Sequence, residues 1–70
     1  MEVNVARLKA LRQLRAMSQE ELAEAAGVGR TTISRIERSE TGAHGRTLRR
    51  LAEALGVGVE ELVKVGGNDA

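Results

Sequence analysis

Gly27-Val28-Gly29 leaves only three residues between two segments of helical periodicity, and no other feature of the chain limits its fold as strongly. Upstream, Ser18 opens "SQEE", a capping box in which the serine hydroxyl accepts from the Glu21 amide while the Glu21 carboxylate reaches back. The helix it starts runs through Leu22, Ala23 and Ala26 and meets Gly27, a residue suited to the left-handed turn that stops helices. Downstream, a third helical pattern runs from about Arg30 to Arg38. Gly29 stands in the place of its N-cap, where glycine costs only a few tenths of a kcal/mol relative to Ser or Thr. Ala23 and Ala26 face this turn, and their small side chains let the second and third helices cross closely.

The device recurs at "ALGVGV", which reads as the same junction used a second time and not as a repeat protein. Apolar spacing predicts three further helices. The first covers about Val5 to Arg15, with Val5, Leu8 and Leu11 inward. The fourth, "RTLRRLAEALG", puts Leu48, Leu51, Ala52 and Leu55 on one stripe. The fifth, "VEELVKV", is short and acidic in its first turn, where the helix dipole favours negative charge. With no Cys, Pro, Phe, Tyr or Trp among seventy residues, the core must be Leu, Val, Ile, Met and Ala, and no disulfide or cysteine zinc site is available. The expected fold is all-α, a compact five-helix bundle over residues 1–65, with 66–70 as a flexible tail. No apolar run approaches the ~20 residues needed to cross a bilayer. "MEVNVARLK" lacks the hydrophobic segment of a signal peptide, so a cytoplasmic protein is expected.

The glycines invite a nucleotide reading, which fails. A dinucleotide fingerprint needs a third glycine after a strand, whereas Thr32 holds that position and a helix precedes it. No lysine followed by Ser or Thr completes a P-loop. Catalysis has equally little support. The single imidazole, His44, lies in the loop "ETGAHG" without a nucleophile or metal-ligand cluster beside it. It reads as a solvated or capping residue, with a backbone-phosphate contact as the alternative. No enzyme, cofactor, metal or small-molecule ligand is expected.

Charge is more informative in its distribution than in its total of +1. Between Ala25 and Arg50 stand six arginines (Arg30, Arg35, Arg38, Arg46, Arg49, Arg50) and two glutamates (Glu37, Glu40), and acidic residues flank that window on both sides. At about 100° per residue, Ile33 and Ile36 set the inward direction of the third helix, with Val28 anchoring the turn before it. Thr31, Ser34, Arg35 and Arg38 then point outward and Arg30 stands at the side of the first turn. Short hydroxyls and arginines without an acid form a surface suited to a DNA groove, since arginine forks pair with guanine O6 and N7. An ordinary solvated helix face, which mixes signs, is the plainer reading. The three-residue link is also the length of a DNA-binding helix-turn-helix. Arg12 lies within the apolar stripe of the first helix, where a charge is costly unless paired. Glu37, near the inward edge of the third helix, is its expected partner.

The segments "LKALRQLRAMSQEELAEAAGVGRTTISRIERSE" and "TLRRLAEALGVGVEEL" together resemble the phage-repressor and Cro-type (XRE) helix-turn-helix family over about residues 5–63. The resemblance implies a lambda-repressor-like domain with its helix-turn-helix unit at about 18–38. It also implies a third helix in the major groove and a homodimer on a two-fold operator. By position, Gln19 matches a backbone and first-base contact, Arg30 and Thr31 the leading base readers, and Arg35 the reader one turn later. Thr32, Ser34 and Arg38 share that surface, and Arg46 matches a contact to the DNA backbone. Arg12 and Glu37 coincide with the internal ion pair of the family. Ala16 and Ser39 depart from the pattern, standing where glycine is common, and Gly29 and Gly58 replace Ser or Thr caps. Ala43 and Gly45 surround a frequent proline site, so the loop from Ser39 to Gly45 is expected to be looser.

The function so implied is a sequence-specific regulator of transcription that binds double-stranded DNA, associates with the nucleoid and works by occupancy. Repression is the expected mode, because seventy residues leave no room for an effector or polymerase-recruiting domain. The rival from another class is a protein-interaction module, antitoxin-like or adaptor, on the same fold. A bare helical scaffold without a ligand is the third reading. Val59, Val63 and Val65 are candidates for the dimer contact, the alternative being that they complete the core.

Overall fold

The computed structural model describes residues 2–64, which form four α-helices: α1 (Val5–Leu14), α2 (Gln19–Ala26), α3 (Arg30–Glu37) and α4 (Gly45–Leu55). In place of the expected fifth α-helix there is one 3-10 turn, Val59–Glu61. The physical reason lies at the other end of the chain. Val63 pairs with Val3 in an antiparallel bridge, flanked by bonds from the Asn4 amide to the Leu62 carbonyl (2.8 Å) and from the Lys64 amide to the Glu2 carbonyl (3.0 Å). A continued helix would take those backbone groups for itself, and β-branched valines favour the extended alternative. Val65 and the tail 66–70 lie outside the described residues.

All four helices stop in the same way. After α2, the Val28 amide bonds the Ala23 carbonyl (3.0 Å) and the Gly27 amide the Glu24 carbonyl (3.3 Å), the two bonds of a Schellman motif. The same pair closes α4, with Val57 to Ala52 (3.0 Å) and Gly56 to Glu53 (3.1 Å). Met17 to Arg12 (3.0 Å) with Ala16 to Gln13 (2.9 Å) closes α1, and Glu40 to Arg35 with Ser39 to Ile36 (both 2.9 Å) closes α3. The motif needs a left-handed residue. Gly27 (φ 71°) and Gly56 (φ 72°) adopt it freely, whereas Ala16 (φ 55°) and Ser39 (φ 60°) do so against a steric penalty of roughly 1–2 kcal/mol for an L-residue.

The core takes a side chain from every α-helix and from Leu62 just after the 3-10 turn, with Leu8, Leu22, Ile33, Ile36, Leu48 and Leu62 among those fully buried. Full burial of one such side chain contributes about 1.5–3 kcal/mol. α2 packs on α3 and α4, α1 on α3, and α4 on the 3-10 turn. Ala23 and Ala26 are buried, in keeping with a close crossing of α2 and α3. Of the predicted inward positions only Val5 in α1 and Val28 in the turn stay half-buried. Val3, which no periodicity marks, is buried, while Leu14 is 73% exposed. Asn4 caps α1 through its side-chain oxygen, which accepts from the Arg7 amide at 3.1 Å. Arg15 donates to the Leu55 carbonyl (2.9 Å), joining the C-terminal ends of α1 and α4. No helix among the described residues is long and apolar enough to cross a membrane.

Candidate nucleic-acid interface

The two ends of α2 aim the third helix. The Ser18 capping box is complete, with the Glu21 amide 3.0 Å from the serine hydroxyl and the Ser18 amide 2.8 Å from the Glu21 carboxylate, so α2 has a fixed start. Its end is fixed by Gly27, after which Val28 leans on the core and Gly29 (φ −75°, ψ 147°) turns the chain into α3 without a side-chain cap. The first amides of α3 therefore face solvent beside Arg30 and Thr31, at a helix end that favours anions.

Ile33 and Ile36 are fully buried, and the opposite face carries two shallow furrows. One brings Arg30, Thr31, Ser34 and Arg38 together. The other is lined by Thr32 and Arg35 from α3, by Thr41, Ala43 and His44 from the following loop, and by Thr47 from α4. Among the described residues no carboxylate lies within ion-pair distance of Arg30, Arg35 or Arg46, so their guanidinium groups are free to meet an anion. Arg38 differs, since its Nε sits 3.2 Å from Glu40 in a pair that is more than half exposed. Arg46 is exposed in the first turn of α4 and lines neither furrow. Arg50 reaches back to the Gly27 carbonyl at 3.4 Å.

Thr41, His44 and Thr47 belong to this surface, though periodicity along α3 gives no sign of them. His44 occupies the N-cap position of α4 but makes no capping bond, which leaves its exposed ring beside the Arg35 furrow. The loop from Ser39 to Gly45 has no regular structure, yet it is held at both ends of its path. Ser39 closes the Schellman motif of α3, and Ala43 is buried against the core.

Between α1 and the end of α3 lies the Arg12–Glu37 pair. Arg12 Nε donates to Glu37 Oε2 at 2.7 Å and Nη2 to Oε1 at 3.1 Å, while Nη1 donates to the Met17 carbonyl at 2.7 Å. The two side chains are 13% and 3% exposed. Gln19, the first residue of α2, donates from Nε2 to Glu37 Oε1 at 3.0 Å. Burial alone raises the Glu37 carboxyl; the bonds from Arg12 and Gln19 and the charges of Arg12 and Lys9 outweigh it and hold the group below its ordinary value. Gln19 is thus attached to the last residue of α3, apart from the furrows.

Comparison with known proteins agrees with this geometry. A family model described as helix-turn-helix (HTH_3) matches residues 8–62. The restriction-modification controller protein C.AhdI from Aeromonas hydrophila shares 32% identity over 81% of this chain and 86% of its own, with a TM-score of 0.78. SinR, a master regulator for biofilm formation solved in complex with DNA, shares 35% over 80% of this chain and 90% of its own, at 0.76. The P22 c2 repressor in complex with a synthetic operator shares 32% over 86% and 91%, at 0.77. No curated protein matches the sequence significantly. With a family model covering most of its length and three solved relatives that align along nearly their whole chains, the protein belongs to the XRE-type (HTH_3) helix-turn-helix family.

Proposed function

We propose that the chain is a sequence-specific DNA-binding regulator of transcription that lays α3 in the major groove and represses by occupancy, without chemistry of its own. The observation that carries this reading is the outward face of α3, where Arg30 and Arg35 stand exposed between hydroxyl side chains and, among the described residues, free of carboxylate partners. Arg35, Arg30 and Thr31 read base edges, Thr32 and Ser34 fill the same surface, and Gln19, Arg38 and Arg46 hold phosphates. Support comes also from the relatives, two of them solved on DNA and one of these named a repressor. A two-fold operator would be met by a homodimer, with half-sites about one helical turn (~34 Å) apart. Val59 and Val63 pack against the core while keeping part of their surface exposed, and that exposed part is the dimer contact we favour.

Selection from a random duplex pool tests the reading directly. An enriched motif is expected, and its absence would overturn the regulator in favour of a protein-interaction module. Arg35→Ala should then weaken binding by about 1–3 kcal/mol and relax the choice of one base. Equal weakening on every sequence would make Arg35 a phosphate contact.

A further inference from the structure

We propose that Glu37 is the positioning residue for Gln19, holding its side-chain amide so that one N–H is bound to α3 and the other is presented to a DNA phosphate. The inference rests on the DNA-binding reading above and assigns Glu37 a task in recognition besides that of pairing Arg12.

Three observations meet at this carboxylate. Glu37 is the last residue of α3, its side chain is 3% exposed, and it accepts from Arg12 Nε, Arg12 Nη2 and Gln19 Nε2. Arg12 is itself fixed by its bond to the Met17 carbonyl, so the carboxylate cannot swing away with its partner. Gln19 directly follows the Ser18 cap, which gives its backbone one defined start. A frame drawn from α1, the α1–α2 connection and α3 therefore surrounds the amide at the head of α2.

The chemistry selects one orientation of that amide. A free glutamine side chain presents oxygen or nitrogen in either sense, because a carboxamide has two N–H donors and an acceptor oxygen of similar shape. An ionised carboxylate only accepts, so the Gln19 oxygen is repelled from it and the NH2 group must face it. One N–H is taken at 3.0 Å, and among the described residues the second has no protein partner. What remains for DNA is a donor of fixed direction, the polarity that a phosphate oxygen requires. A neutral partner at position 37 would accept or donate equally well and would let the amide rotate.

The test is a double-mutant cycle read as DNA affinity, on a duplex enriched from the random pool and on an unrelated duplex. Glu37→Gln should weaken both by about three- to tenfold, the range of one hydrogen bond, without changing base preference. Gln19→Ala should do the same, and the double variant should be no weaker than Gln19→Ala alone. Multiplying effects, or a changed base preference in Glu37→Gln, would mean that Glu37 acts by moving α3, and would overturn the proposal. Should Glu37→Gln fail to fold, the side-chain amide of Gln19 in the wild-type protein decides by NMR. One of its two protons should be protected from exchange in the free protein, and both in the complex. Two unprotected protons in the free protein, or release of the protected one on binding, would overturn it. The free-protein arm needs no DNA, so a chain that bound no duplex would sink the regulator reading while leaving this link measurable.

Discussion

The two glycine–valine–glycine turns are close copies in the backbone and lead to different structures. Gly27 (71°, 33°) and Gly56 (72°, 31°) hold nearly the same φ and ψ, as do Gly29 (−75°, 147°) and Gly58 (−75°, 153°). Both valines donate at 3.0 Å to a carbonyl five residues back. Yet the first turn opens an eight-residue helix with an outward face of arginines and hydroxyls, and the second opens three residues of 3-10 helix that end in an extended bridge. The turn decides only that one helix stops and the chain can start again. What the chain then becomes depends on its partners. α3 buries Ile33 and Ile36 and is bound at its end to Arg12, whereas the second segment buries Leu62 and hands Val63 to Val3.

The largest effect should come from cutting the buried ion pair that, of the two segments, only the first has. Glu37→Ala strands the Arg12 guanidinium in a nearly buried site, and a loss of about 3 kcal/mol is expected in denaturant melts. An unchanged midpoint would show that α3 needs no tether and would remove the contrast. Acid offers a gentler version of the same cut. Because the folded-state pKa of Glu37 is lowered, its stabilisation is complete above the unfolded value of ~4.3 and fades as pH falls through the folded one. Glu37→Gln should flatten that part of the stability profile. By contrast, Glu61 pairs with Arg7 (2.7 Å) on the surface, with both side chains 40% or more exposed, and such pairs contribute little.

The likeness of the turns is tested by Gly27→Ala and Gly56→Ala. A Cβ at either position meets nothing within 4 Å, so each should lose about 1 kcal/mol for backbone reasons alone, and by equal amounts. Unequal losses would mean that the tertiary setting already acts inside the turn. The helices that stop without glycine supply the reverse experiment. Ala16→Gly and Ser39→Gly should each gain up to about 1 kcal/mol, several degrees in Tm for a domain of this size. The smallest difference is expected at the second glycine of each turn. Gly29→Ser should gain a few tenths of a kcal/mol through a new N-cap, since its Cβ makes only an ordinary 3.8 Å contact with Thr32. Gly58→Ser should gain nothing, because its Cβ would collide with the Glu60 carboxylate and displace it.

Most of the helices were legible because each signal is local. The capping box at Ser18, the stops at Gly27 and Gly56, and the stripe of Leu48, Leu51, Ala52 and Leu55 are all contained within one or two turns of chain. The outward direction of Arg35 follows in the same way from the buried isoleucines beside it. Local patterns fail where two distant segments meet. The Val3–Val63 bridge, the furrow shared by Arg35, His44 and Thr47, and the bond from Gln19 to Glu37 join residues that no helical period relates. Arg12–Glu37 is the instructive exception, because a lone charge on an apolar stripe demands a partner even when that partner lies 25 residues away.

Sequence alone therefore determined where α2 starts and stops, where α4 stops, and which face of each of the four α-helices turns inward, since caps, left-handed glycines and amphipathic spacing act over a few residues. Only the tertiary structure decided that the last segment abandons the helix for a bridge to the N-terminus. It alone decided, too, that the head of α2 is bound to the end of α3. Both outcomes turn on which backbone or side-chain groups from distant parts of the chain come within hydrogen-bonding reach, and nothing in the spacing of either segment contains that distance.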